Sequence, residues 1–169
     1  LPDLAANSFG HGIGVTPLQV ASAIGGIAND GVIMRPHVVR AVGHPDGKSG
    51  FVKPQHVREV ISAHTAHTLI QMMESAAASL PSDPAAVPGY RTAGKTGTAE
   101  IPVGGRFQAD QSVASYVGFG PLENPRVLAL VAINKPQKGF FGAHVAAPTF
   151  KRIVSRIFSY MKIPARGDA

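Results

Sequence analysis

Cysteine is absent from this chain of 169 residues, which excludes a disulfide framework, a thiolate nucleophile and thiolate metal sites without identifying a compartment. No apolar run reaches the roughly 20 residues needed to cross a bilayer. Leu1 opens the chain with neither an initiator Met nor a signal-peptide pattern, so the chain reads as cut from something longer. Basic runs are missing too. The 16 Lys and Arg exceed the 10 Asp and Glu, giving a formal charge of +6, yet no run exceeds Lys151-Arg152 and no aromatics interleave with it to stack bases. Nucleic acid is therefore not an expected partner, and most of these charges read as solvated surface. Among seven histidines, His64 and His67 share helical spacing, but no Glu-x-x-His element or third ligand lies nearby. No metal site and no cofactor are expected.

With 44% apolar and 15% charged residues the chain is globular, long enough for one domain with a real core and too short for two large ones. Its 19 glycines and 14 prolines predict many turns, and no internal repeat is present.

Thr16-Pro17 is a good helix start, followed by Leu18, Ala21, Ile24 and Ile27 at helical spacing until Asn29-Asp30-Gly31. Val32 to Val42 reads as extended chain. A turn at His44-Pro45-Asp46-Gly47 then returns a short strand through Phe51-Val52. Ser62 is expected to cap a second helix that buries Ala66, Leu69, Ile70 and Met73. After a proline-rich connector, strands are expected over Tyr90 to Glu100, Ser112 to Gly120 and Arg126 to Asn134, with a loop from Pro102 to Asp110. The third strand is nearly continuous in apolar residues, as strands covered on both faces are. A last helix around Pro148 to Met161 presents Phe150, Ile153, Val154, Ile157 and Phe158 on one stripe. Short turns favour an antiparallel meander with helices packed against it, an α+β architecture.

Gly94-Lys95-Thr96-Gly97-Thr98-Ala99 places a cation, two hydroxyls and two glycines within six residues, a composition suited to an acyl substrate's oxyanion and carboxylate. The same stretch fits two chemistries. With its upstream residues it satisfies the phosphate-loop pattern, Gly89 to Thr96; with its downstream residues Lys95-Thr96-Gly97 is the lysine motif of penicillin-recognising serine enzymes. A phosphate loop needs a helix immediately after it. Pro102, Gly104 and Gly105 stand where that helix should run, so the nucleotide-binding reading is the weaker of the two.

Four blocks in order then resemble the transpeptidase domain of class B penicillin-binding proteins, most closely the septal, cell-division type. They are Ser8-Phe9-Gly10-His11-Gly12 leading into Val15-Thr16-Pro17-Leu18-Gln19; Gly89 to Ala99; Tyr116-Val117-Gly118-Phe119; and Gly139-Phe140-Phe141-Gly142 running into Ala147-Pro148-Thr149-Phe150. The resemblance implies an antiparallel sheet flanked by helices, part of the serine β-lactamase-like transpeptidase fold. Residues 1–79 would be mainly helical with a small hairpin, and 80–169 would hold the lysine-motif strand, two further strands and the C-terminal helix. It also implies an enzyme that cross-links peptidoglycan stem peptides through a serine acyl-enzyme, binds β-lactams, and works on the outer face of the bacterial cytoplasmic membrane behind an N-terminal anchor.

By that resemblance Lys95 assists proton transfer beside the nucleophile, and the Thr98 backbone N–H forms half of the oxyanion hole. Thr96 and Thr98 offer hydroxyls to the substrate carboxylate, and Gly97 leaves room for the substrate along the strand. Phe140 and Phe141 match an aromatic pair that closes over substrate. Phe9 and His11 match a glycine-flanked loop near the site, and Phe107 would line the pocket or anchor its loop. The family's Ser-x-x-Lys and Ser-x-Asn motifs should precede the lysine motif, yet no Ser-x-Asn exists here and Ser159-Tyr160-Met161-Lys162 follows it. The chain therefore reads as the C-terminal portion of one transpeptidase domain, inactive without its N-terminal part, with a strand edge open to self-association. A non-catalytic cell-wall or division-partner module of the same ancestry is the remaining alternative.

Overall fold

The structure is a computed structural model that describes residues 4, 10, 13–43, 45, 47, 49–103 and 106–166, with the backbone alone at 102, 103 and 106–110. Helix α1 spans Pro17–Ala28 and begins in a complete capping box: Thr16 Oγ1 accepts from Gln19 N–H, while the Gln19 side chain accepts from Thr16 N–H. That reciprocal pair satisfies two of the amides that a helix start leaves open. Helix α2 spans Ala63–Ala78 and is capped by Ser62 as expected. Ala66 and Met73 are buried, whereas Leu69 and Ile70 are half-buried.

The extended run expected from Val32 to Val42 is two strands. Strand β1 (Val32–Met34) pairs antiparallel with β4 (His56–Glu59), and β2 (Ala41–Gly43) pairs with β3 (Ser49–Phe51). Pro36 lies between β1 and β2, and its missing N–H interrupts a ladder.

Three long antiparallel strands form the main sheet in the order β5-β6-β7: Ala93–Val103, Arg106–Gly120 and Val127–Asn134. The loop expected over Pro102 to Asp110 is instead continued hairpin. Pro102 stands opposite Phe107 and Val103 opposite Arg106, beyond a register irregularity between Glu100 and Pro102. Proline is tolerated there because β5 is an edge strand among the described residues.

Helix α3 (Gly142–Tyr160) starts six residues before the expected Pro148, which lies inside it. Its stripe buries Phe150, Val154 and Phe158, but Ile153 is exposed, and so is the expected α1 face residue Leu18. Phe150 and Phe158 pack on one face of the sheet with Tyr116; Met73 of α2 packs with Ala93 and Phe119 on the other. Strand β7 is covered on both faces as expected: Val127, Ala129 and Val131 join the α3 side, and Leu128 joins the α1 and α2 side. The sheet thus lies between helical layers.

Candidate functional site

The lysine motif lies in the middle of β5, a strand paired on one side only among the described residues. Lys95 stands opposite Val117, Thr96 opposite Tyr116, Gly97 opposite Ser115 and Thr98 opposite Ala114. Because successive residues point to opposite faces of a strand, Lys95 and Gly97 share the α2 side with Ala93, and Gly94, Thr96 and Thr98 share the α3 side. Lys95 is exposed, and its ammonium donates to Thr96 O at 3.0 Å. No carboxylate pairs with it among the described residues. The strand continues straight through Lys95-Thr96 to Val103, so the phosphate-loop reading fails: no helix departs where an anion would need its N-terminus.

Two glycines of the motif have structural reasons besides substrate access. A Cβ at Gly97 would lie 2.5 Å from Ser115 Oγ, and one at Gly94 would collide with the Tyr116 hydroxyl. Tyr116 is fully buried, and its hydroxyl has no hydrogen-bond partner among the described residues. Burial pushes this phenol far above its ordinary ionisation range, with the negative charge of Asp83 adding to the effect. The neutral hydroxyl fills the space that a side chain at position 94 would need.

Helix α3 meets the motif strand end-on. The Gly142 N–H donates to Thr98 Oγ1 at 3.2 Å, and a Cβ at Gly142 would meet the carbonyl oxygens of Ser115 and Gly97. Phe141 is the N-cap but makes no side-chain cap bond, so Thr98 supplies the cap from another strand. Phe140 and Phe141 sit edge to face at 5.2 Å, and Phe141 meets His144 in the same manner at 5.8 Å. Phe140 is half-buried and Phe141 is 54% exposed. The buried Ser112 hydroxyl donates to Phe140 O at 2.8 Å and fixes that turn to β6.

The structure thus sets Phe140 and Phe141 beside Thr98 at the start of α3, while Lys95, Thr96, Gly97 and Thr98 follow one another along the same strand with Lys95 and Gly97 on the opposite face. Phe9 and His11 lie outside the described residues, as does the side chain of Phe107, whose backbone continues β6. Ser112, Ser115 and His144 were missed by sequence reasoning, and Gly142 appeared in a matched block without a role. Strand pairing signals the serines only once the register is known; His144 sits one helical turn past the matched aromatic pair and could have been flagged. Ser159, the lone literal Ser-x-x-Lys serine, donates to Ser155 O within α3. It is roughly 25 Å along the helix from Gly142, far from the motif.

Lys-Thr-Gly is one of the motifs of penicillin-recognising serine enzymes, and here it stands on an outer strand of an antiparallel sheet between helical layers. The family model described as the penicillin binding protein transpeptidase domain matches residues 3–155. Stage V sporulation protein D of Bacillus subtilis is 32% identical over 153 residues, covering 89% of this chain and 24% of its own length. The probable peptidoglycan D,D-transpeptidase PenA of Neisseria gonorrhoeae is 34% identical over 151 residues, with the same two coverages. Among solved structures, penicillin binding protein 3 of Mycobacterium tuberculosis, complexed with ampicillin, superposes with a TM-score of 0.82 at 32% identity over 94% of this chain and 38% of that one. The chain belongs to the penicillin-binding protein transpeptidase domain family, alongside class B members. It spans about a quarter of the length of these curated relatives.

Proposed function

We propose that this chain supplies the lysine-motif part of the acyl-transfer site of a peptidoglycan D,D-transpeptidase. The observation that carries the reading is Lys95-Thr96-Gly97-Thr98 on a one-sided edge strand, flanked by the exposed aromatic Phe141. In the parent protein a serine from sequence outside this chain attacks the donor stem peptide's carbonyl. The peptide C–N bond breaks as the serine ester forms, the serine proton passes to the departing amine, and an acceptor stem-peptide amine then displaces the serine. A β-lactam enters the same path but stops at the ester.

Within that path the Lys95 ammonium assists proton transfer and favours developing negative charge. The Thr98 N–H faces the oxyanion; Thr96 and the donor proton left on the Thr98 hydroxyl face the substrate carboxylate. Phe140 and Phe141 cover the bound peptide. The free backbone edge of β5 offers the substrate a strand to lie against. Cell-wall chemistry of this kind belongs on the outer face of the cytoplasmic membrane, with the anchor in sequence outside this chain. No described helix is long and apolar enough to cross a membrane.

Alone, the chain has the motif without a placed nucleophile and forms no covalent penicillin adduct. Intact-mass measurement after incubation with a fluorescent penicillin tests this against the parent protein in parallel. The expected result is a stoichiometric mass gain on the parent and none on the chain. A stoichiometric gain on any serine of the chain overturns the assignment.

A further inference from the structure

At the far end of the main sheet a cavity of about 450 Å³ opens between the segment leading into β5, the turn after β6 and the chain leaving α3. Its volume is within the range of small-molecule sites, which are mostly apolar with a few polar groups to orient the ligand. Tyr90, Pro121, Met161 and Ile163 wall it. The one hydroxyl among them is already committed, since Tyr90 Oη donates to Ile163 O at 2.6 Å. Asn124 is the other neutral polar side chain in the lining, so the chamber is largely apolar.

Its lip is cationic. Glu123 is the sole carboxylate lining the chamber, and it is taken by Arg91 at 3.7 Å and Arg166 at 3.9 Å. Arg126 and Lys162 also line the chamber and have no acidic partner among the described residues. Lys162 carries a second signal. It ends α3 in the left-handed region at φ 52°, with Ile163 N–H bonding back to Phe158 O at 3.0 Å. Glycine is the usual residue at such a helix end because a side chain there is strained. A lysine stands where glycine would be unstrained, as Lys135 also does at φ 50°, and strain of this kind can accompany a binding site.

We propose that this chamber binds an anionic amphiphile, a molecule with an aliphatic or aromatic body and a single carboxylate or phosphate head. The body fills the apolar chamber, and the head sits at the lip between Arg126 and Lys162. The site is separate from the lysine motif: Tyr90 precedes Lys95 by five positions of largely extended chain, roughly 16 Å. It does not depend on the transpeptidase reading.

Dodecanoate is the probe, titrated into the folded chain and followed through backbone amide shifts. Saturable shifts are expected at Gly89, Tyr90, Ile163 and Ala165, with Lys95 unmoved. Dodecyl phosphate should bind comparably, and dodecanol and dodecyltrimethylammonium about tenfold more weakly or worse. Arg126→Glu should weaken dodecanoate binding by about the same factor. Lys162→Gly is the discriminating variant, because it relieves the left-handed strain and removes the cation together. It should raise the urea midpoint and still weaken binding. Met161→Trp, at a partly exposed position of the wall, should occupy the chamber and abolish the shifts. No saturable shift at these amides overturns the proposal. Equal affinity for the cationic amphiphile, or unchanged affinity in both charge variants, overturns it equally.

Discussion

Thr98 Oγ1 accepts a hydrogen bond from the N–H of Gly142, 44 residues later in the chain. A motif hydroxyl thereby serves as the cap of the C-terminal helix, adding one side-chain hydrogen bond to the packing that holds this helix against the sheet. Thr98→Val keeps the shape and removes the acceptor, so it should cost about 1 kcal/mol of stability. Thr98→Ser should cost clearly less. Gly142→Ala should cost about 2 kcal/mol, since its methyl would meet backbone oxygens that cannot yield. Gly25→Ala is the control, at a helix-interior site whose nearest outside atom is Leu128 Cδ1 at 4.0 Å, and it should be neutral or stabilising. Urea denaturation of the four variants checks the set.

Lys95 is exposed and bonded only to its neighbour's carbonyl, so its charge contributes little to folding. In the parent protein Lys95→Met should slow acylation by a β-lactam by orders of magnitude while leaving the urea midpoint of the chain nearly unchanged. Stopped-flow acylation kinetics beside a denaturation curve would separate the two. Acylation near the unsubstituted rate would remove the lysine from the site.

Glu74 on α2 takes two 2.6 Å hydrogen bonds from Arg91, which leads into β5. The Arg91 hydrogen bonds, opposed by partial burial and aided by its charge, hold the Glu74 carboxyl below its ordinary range. A carboxylate whose folded value is depressed stabilises the fold above its unfolded value of about 4.3, and that contribution fades as pH falls through the folded value. The stability difference between the chain and Glu74→Gln should therefore be present at neutral pH and vanish in acid. A gap that persists or widens in acid would mean that packing rather than charge holds this pair.

Strand β7 pairs with β6 alone among the described residues, and five of its eight residues in sequence, Val127 to Val131, are half-buried and apolar. An apolar edge with open amides and carbonyls is a template for another chain. Light scattering should show association that grows with concentration, reduced by Ala132→Lys on an exposed position of this strand. A concentration-independent monomer would refute the idea.

Legibility in the sequence followed the range of the interactions. The α1 and α2 starts could be read because Thr16 and Ser62 cap amides three residues on, and β6 and β7 because their apolar patterning is local. The α3 start could not, because its cap comes from Thr98 on another strand while Pro148 imitates a first-turn proline. Strand β4 was missed because all four of its residues are exposed, leaving no alternation to detect; only its pairing with β1 defines it. The lysine motif was visible as a string, yet the opposite facing of Lys95 and Thr98, and the fit of Ser115 and Tyr116 against the motif glycines, required the β5–β6 register.

That register has a bearing on which length changes this hairpin can absorb. The side chains of β5 alternate in strict parity as far as Glu100, and the irregularity between Glu100 and Pro102 comes only beyond the motif. A residue inserted toward the hairpin tip, past Glu100, leaves every motif side chain on its own face. A residue inserted between Ala93 and Lys95 reverses the parity of all that follows, turning the ammonium into the α3 layer and the two hydroxyls away from it. Length changes in this hairpin are therefore tolerable on one side of this point, while on the other side the spacing acts as an odd-or-even code.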